Sequence, residues 1–248
     1  MQFRELLFGV LVLLAGPLFA SDLLGLPALP VPENNPQTEA KIALGDKLFN
    51  DTRFSSTGDI SCATCHDASK GLTDSPLKVS SGINKLQGTR NAPTVANAAF
   101  NKTQFWDGRS PDLEDQAQHP FVNPVEMGLA NHEPILEVVR KDRSYRKAFK
   151  EVFGKSARKV TIKEVQQAIA AFERTQIFGN SPFDRWFFAG EQDAISDAAK
   201  RGFNVFLNEG RCVSCHTIEQ NFAIFTDHRF HNIGVGINEL GDKVTPLA

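Results

Sequence analysis

The sequence predicts a mainly α fold built from two copies of one unit. Three observations carry this. Apolar residues recur at helical spacing in several segments, no alternating strand pattern of useful length appears, and the pattern Cys-x-x-Cys-His occurs twice. Each occurrence follows an amphipathic segment and a Gly-containing loop: Leu44–His66 in the first copy, Ala199–His216 in the second.

The first twenty residues stand apart from this pattern. Arg4 precedes an apolar run from Leu6 to Leu14, Gly16-Pro17 interrupts it, and the small Ala20 ends it. That layout predicts a secretory signal peptide over residues 1–20, cleaved near Ala20. The run is too short for a comfortable membrane span, so no permanent span is expected. With 248 residues, 41% hydrophobic and 23% charged, the chain is long enough for one large or two ordinary cores and is neither fibrous nor disordered. A formal charge of −2 supplies no basic face for nucleic acid.

Ser21–Pro36 holds four prolines and predicts an extended, surface-lying lead-in. Thr38–Asn50 reads as a helix with Ile42, Leu44, Leu48 and Phe49 on its apolar side. Asp51–Ser110, rich in Gly, Ser, Asn and Asp, predicts long loops organised by something other than backbone hydrogen bonds, and a cofactor is one such support. Tyr145, Phe149, Val152 and Phe153 form one helical stripe ended by Gly154. Thr161-x-x-Glu164 is a capping box that opens a helix burying Val165, Ile169, Phe172 and Ile177. A further helix is expected from about Ala194 to Leu207, with Ile195, Ala199, Phe203 and Phe206 inward.

All four Cys lie in the two Cys-x-x-Cys-His motifs, Cys62/Cys65/His66 and Cys212/Cys215/His216. A chain this long needs no disulfide staples, and an exported chain would not keep free dithiols reduced. Zinc sites use such pairs but leave the His after each one unexplained, and a thioredoxin-like dithiol lacks its βαβ context here. Two thiols three residues apart can reach the two vinyl groups of one porphyrin, and the adjacent His can reach its iron. The motifs therefore predict two covalently bound haems c, with His66 and His216 as iron ligands. Met127 is the only methionine after residue 20, and it lies far from the second motif. Only 32 residues follow His216, so the second unit is expected to be incomplete at its C-terminus.

The ordered motifs ISCATCH, RNAPTVANAAFNKTQFWDGR, LEDQA, NPVEM, GRCVSCH and FHNIGV, from about Lys41 to Gly236, resemble bacterial di-haem cytochrome c peroxidases and the related MauG-type enzymes. The resemblance implies two cytochrome c-like haem domains, peroxidatic over 21–185 and electron-transferring over 186–248. It implies reduction of hydrogen peroxide in the periplasm, with electrons from a small c-type cytochrome or cupredoxin, and suggests a homodimer. By motif, Trp106 would lie in the electron path between the haems, Gln116 and Glu126 on the distal side of the first, and Asn91 at a calcium ion. The residue types suit the chemistry: a carboxylate beside an open iron position can move a proton between the two peroxide oxygens, and an amide can orient the ligand. Taken alone, Glu126 reads as a solvated carboxylate, Gln116 as a helix-surface residue and Trp106 as a core aromatic. Phe100, Phe105, Phe149 and Phe172 read as pocket or core packing, and His231 as structural.

One departure stands out. Many members of that family cap the first iron with a His from the loop after the first motif, yet Asp67–Phe105 contains no His. The first haem is therefore expected to be open at rest, with His119 as the one nearby substitute. The competing functions are an oxidase acting on a protein substrate in the MauG manner and a di-haem electron carrier without turnover.

Overall fold

A computed structural model describes residues 23–234, so the expected signal peptide and the last fourteen residues lie outside it. Among the described residues the architecture is helical, with isolated β-bridges and no strand. No described helix is long and apolar enough to cross a membrane.

Helix α1 (Glu39–Phe49) starts where Thr38 accepts a hydrogen bond from the Lys41 N–H. Helix α7 (Ile162–Glu173) starts at the Thr161/Glu164 capping box. The two pack closely because Gly45 has no side chain: a Cβ there would lie 1.9 Å from the Ala168 carbonyl oxygen. Helix α7 is central, with Val165, Ala168, Ile169, Ala170 and Ala171 all buried. Helices α5 (Glu133–Lys141) and α6 (Arg143–Phe153) complete the main core with Phe54, Phe121, Tyr145 and Phe149. Gly154 ends α6 at φ 65°. Each fully buried Leu or Phe contributes roughly 1.5–3 kcal/mol, so this cluster dominates the stability of the first unit.

Asp51–Ser110 is indeed loops and single turns, among them α2 (Cys62–Cys65), a one-turn helix opened by Ser61. Two further single turns, α3 (Leu113–Gln116) and α4 (His119–Val122), follow it. Neither these nor α5 was anticipated. Four residues are too few to show a period, and Pro134 masks the start of α5 although a first turn tolerates proline.

Three expectations are corrected. The lead-in is not wholly on the surface: Asn35 is 0% exposed and bonds to Glu114 and to the Gln167 carbonyl. Helix α7 stops at Glu173, because Thr175 and Gln176 fold back onto the carbonyls of Phe172 and Glu173. Ile177 therefore packs from a loop against Ala98, Ala99, Leu113 and Ala170. The last helix, α9, runs Asp197–Leu207, since Ser196 caps it by accepting from the Ala199 N–H. None of its residues is buried, and Ala199 is exposed. Phe203 and Phe206 instead join the rings of Phe183, Trp186, Phe187 and Phe225, the first three from α8 (Pro182–Phe187). This aromatic group is half-exposed and has no aliphatic core beneath it among the described residues.

Candidate haem site

The first motif opens onto a cavity of about 490 Å³, within the usual size of a small-molecule site. Cys62, Cys65, His66, Asn91, Trp106, Gln116 and Glu126 all line it, so every site residue anticipated for the first unit reaches one space. Chain elements far apart in sequence converge to build it: α2, the Gln87–Val95 loop, the Gln104–Arg109 turn, α3, the Asn123–Met127 turn and α7.

His66 is placed by two bonds. Its N–H donates to the Cys62 carbonyl at 3.0 Å, closing the α2 turn. Its ring Nδ1 lies 3.2 Å from the Leu72 carbonyl oxygen. A carbonyl only accepts, so Nδ1 carries the proton and the lone pair sits on Nε2, the tautomer an iron ligand needs. Burial lowers the His66 pKa, which keeps the ring neutral. His216 repeats the device: its N–H donates to the Cys212 carbonyl at 2.9 Å, and its Nδ1 lies 2.9 Å from the Phe225 carbonyl oxygen. Leu72 and Phe225 both hold positive φ, 59° and 53°, so the same unusual backbone turn presents the carbonyl in both copies.

The Cys62 and Cys65 thiols are not activated for disulfide exchange. Burial, with neighbouring Glu173 second, raises the Cys62 pKa far above the usual thiol range. Burial, followed by Asp74, pushes Cys65 up to about 11. Neutral thiols beside a neutral imidazole in a mostly apolar cavity fit a covalently held porphyrin.

Glu126 is half-buried and accepts from Asn123 Nδ2 at 2.7 Å. Burial raises its pKa, while the charges of Arg109 and His119 pull it down. Its backbone is fixed by the Ile83 N–H, which donates to the Glu126 carbonyl. Gly82 makes that approach possible, since a Cβ there would lie 2.0 Å from the Val125 oxygen. Gln116 is half-buried at the end of α3. Met127 is buried beside this cavity rather than near the second motif.

Trp106 is 54% exposed and donates its indole N–H to the Asn91 carbonyl at 3.0 Å. It is therefore not a core aromatic. Its turn abuts the segment after the second motif, because a Cβ on Gly108 would meet the Phe230 ring at 2.6 Å. Asn91 itself is exposed. Among the described residues the one group of three His, Cys, Asp or Glu side chains close enough to share an ion is Cys215, Asp227 and His231, not at Asn91. His231 bonds to Asp227 at 2.8 Å. His119 is held by Asp115 at 3.2 Å, with its ring edge against Phe105, and His66 is the only histidine lining the cavity.

Sequence reasoning missed Glu173, Arg109 and Asn123 at this cavity. Arg109 and Asn123 lie inside the quoted WDGR and NPVEM motifs, which could have flagged them, whereas Glu173 falls in no motif.

Residues 39–193 match the family model described as di-haem cytochrome c peroxidase. The chain is 41% identical over 216 residues to cytochrome c551 peroxidase of Nitrosomonas europaea, covering 86% of this chain and 63% of that protein. It is 39% identical over 215 residues to methylamine utilization protein MauG of Methylorubrum extorquens, covering 86% and 59%. Among solved structures, a MauG-like protein associated with microbial copper homeostasis superposes with a TM-score of 0.71 at 30% identity, covering 84% of this chain and 60% of that one. The chain thus spans about three fifths of the length of these relatives. On the family match, the ordered motifs and the shared fold, this chain belongs to the di-haem cytochrome c peroxidase family.

Proposed function

We propose that the protein is a periplasmic di-haem peroxidase, reducing hydrogen peroxide to water with two electrons from a small c-type cytochrome or cupredoxin. The observation that carries this reading is the convergence of Cys62, Cys65 and His66 with the carboxyl of Glu126 and the amide of Gln116 on one cavity. In this reading residues 21–185 and 186–248 are the two haem units, and the second haem is held by Cys212, Cys215 and His216.

Haem at the first motif supplies a one-electron couple and an iron position for peroxide. The chain's own residues do the rest. Glu126, partly desolvated and held by Asn123, takes the proton from one peroxide oxygen and returns it to the other, so that water can leave. Gln116 orients the bound peroxide through its amide. Trp106 offers a π system on the side that meets the second-motif segment. His66 keeps its ring fixed through Leu72. With no His in Asp67–Phe105, that loop would offer no imidazole to cap the iron, which would leave a position available to peroxide.

The test is the mass of the exported protein followed by steady-state peroxide consumption with a reduced cytochrome c or cupredoxin. Two haem additions and donor-dependent turnover are expected. Haem-free protein, or two six-coordinate low-spin haems without turnover, would sink the proposal. Absence of the capping His also favours a second reading, oxidation of a protein substrate. In that case peroxide consumption tracks an added protein substrate and not the small donor.

A further inference from the structure

Glu173 ends α7 on the wall of the first cavity and has no part in the chemistry above. It is 6% exposed, and its Oε2 is buried with no hydrogen-bond partner. The neighbouring cations are already engaged. The Arg174 guanidinium bonds in two-pronged fashion to Glu114 at 2.8 and 2.7 Å. The Lys41 ammonium is held by Asn35 Oδ1 and the Pro36 carbonyl at 2.8 and 2.7 Å. Burial pushes the Glu173 carboxyl up to about 8, with Arg174 working against that and Glu114 with it.

The charged and titratable groups around it are therefore few. Arg174 follows it on the chain, Glu114 faces it from α3, Lys41 lies beyond them on α1, and Cys62 adjoins it from α2. Elsewhere on the cavity wall stand Cys65, His66, Arg90, Asp107, Arg109 and Glu126.

A carboxylate and an added electron are like charges, and in a cavity of low dielectric they repel strongly. We propose that Glu173 is a proton-holding residue coupled to the haem at Cys62–His66, taking one proton from water as that haem accepts one electron and releasing it when the electron leaves. The electron comes from a one-electron donor and the proton from solvent, so the cavity's net charge is the same in both states. Positive charge on the oxidised centre favours the carboxylate, and its loss on reduction favours the neutral acid. This inference rests on the proposed function only in placing haem at the first motif. Glu173 acts through charge and needs no contact with peroxide, so it is a positioning residue and not a catalytic one.

The test is an equilibrium redox titration of the haem-loaded full chain between pH 5 and 10, followed optically for wild type, Glu173→Gln and Glu126→Gln. In wild type the first haem's reduction equilibrium should fall by up to tenfold per pH unit across the coupled window, which is 59 mV for one electron. Glu173→Gln should flatten that slope, and Glu126→Gln should keep it. A Glu173→Gln protein with the wild-type slope overturns the proposal, as does a slope abolished by Glu126→Gln alone. Should Glu173→Gln fail to load haem, redox-difference infrared spectra of the Glu126→Gln protein decide. A protonated-carboxyl band that grows on reduction and shifts in D₂O supports the coupling, and its absence overturns it. Lack of haem on the Cys62–Cys65 peptide by mass overturns both readings, whereas a loaded protein with an unchanged slope overturns only this one.

Discussion

Replacing Glu114 with Ala breaks a buried network that ties together the lead-in, α1, α3 and α7. The carboxylate accepts from both Arg174 nitrogens and from Asn35 Nδ2 at 2.7 Å, and Asn35 in turn holds Lys41. The Arg174 side chain is only 4% exposed, so the variant leaves a guanidinium in a dry site without its partner. Removing one member of such a pair costs about 3–5 kcal/mol, chiefly because the remaining charge stays desolvated. Glu173 is the adjacent carboxyl, and its ionisation would relieve part of this, so the lower end, about 3 kcal/mol, is expected. For a chain of this size each kcal/mol shifts the melting midpoint by about 2–4 °C, giving a fall of at least ~6 °C. Circular dichroism melts at pH 7 and pH 3 measure it. Burial pushes the Glu114 carboxyl up, but the hydrogen bonds from Arg174 and Asn35 outweigh this and hold it below the usual carboxylate range. A lowered folded-state pKa contributes stability that is present above the unfolded value, about 4.3, and lost as pH falls through the folded one. The gap between wild type and variant should therefore be full at pH 7 and narrower at pH 3. A loss below about 1 kcal/mol at pH 7, or a gap that widens in acid, refutes the reasoning.

Glu126→Gln should lower kcat for peroxide by about 10²–10⁴-fold while the optical spectrum of the bound haem stays unchanged; turnover within twofold of wild type removes Glu126 from the mechanism. Gly45→Ala should destabilise the protein by about 1–3 kcal/mol in urea titration, because the clash with the Ala168 carbonyl outweighs the better helix propensity of Ala. Gly82→Ala should reduce peroxide turnover without loss of attached haem, since its Cβ would push the Val125–Glu126 backbone away, and normal turnover in that variant would show the loop can yield.

Much of the first unit could be read directly because the signals are local. The α1 and α7 starts follow from Thr38 and from the Thr161/Glu164 box within one turn of chain. The Gly154 stop and the Tyr145–Phe149 stripe need only helical period. The short turns α3 and α4 lack that period, and α9 misled because its apolar residues match a buried helix yet none is buried, and Phe203 and Phe206 pack on other partly exposed rings.

Sequence patterns determined the mainly α class through helical spacing, the family through the order of its motifs, and two Cys-x-x-Cys-His sites with their adjacent histidines, since each motif and each helical stripe depends on residues a few positions apart. Tertiary structure alone decided which polar groups share a dry space. Asn35, Glu114 and Arg174 lie 79 and 60 positions apart in successive pairs, and no local pattern announces their network. The same holds for Glu173: a glutamate at a helix end is ordinarily solvated, and only the packing of α1, α2 and α3 around α7 leaves its Oε2 buried and unpartnered beside the cavity at the first motif. Burial and pairing are properties of distant segments meeting, which is why they appear only once the chain is folded.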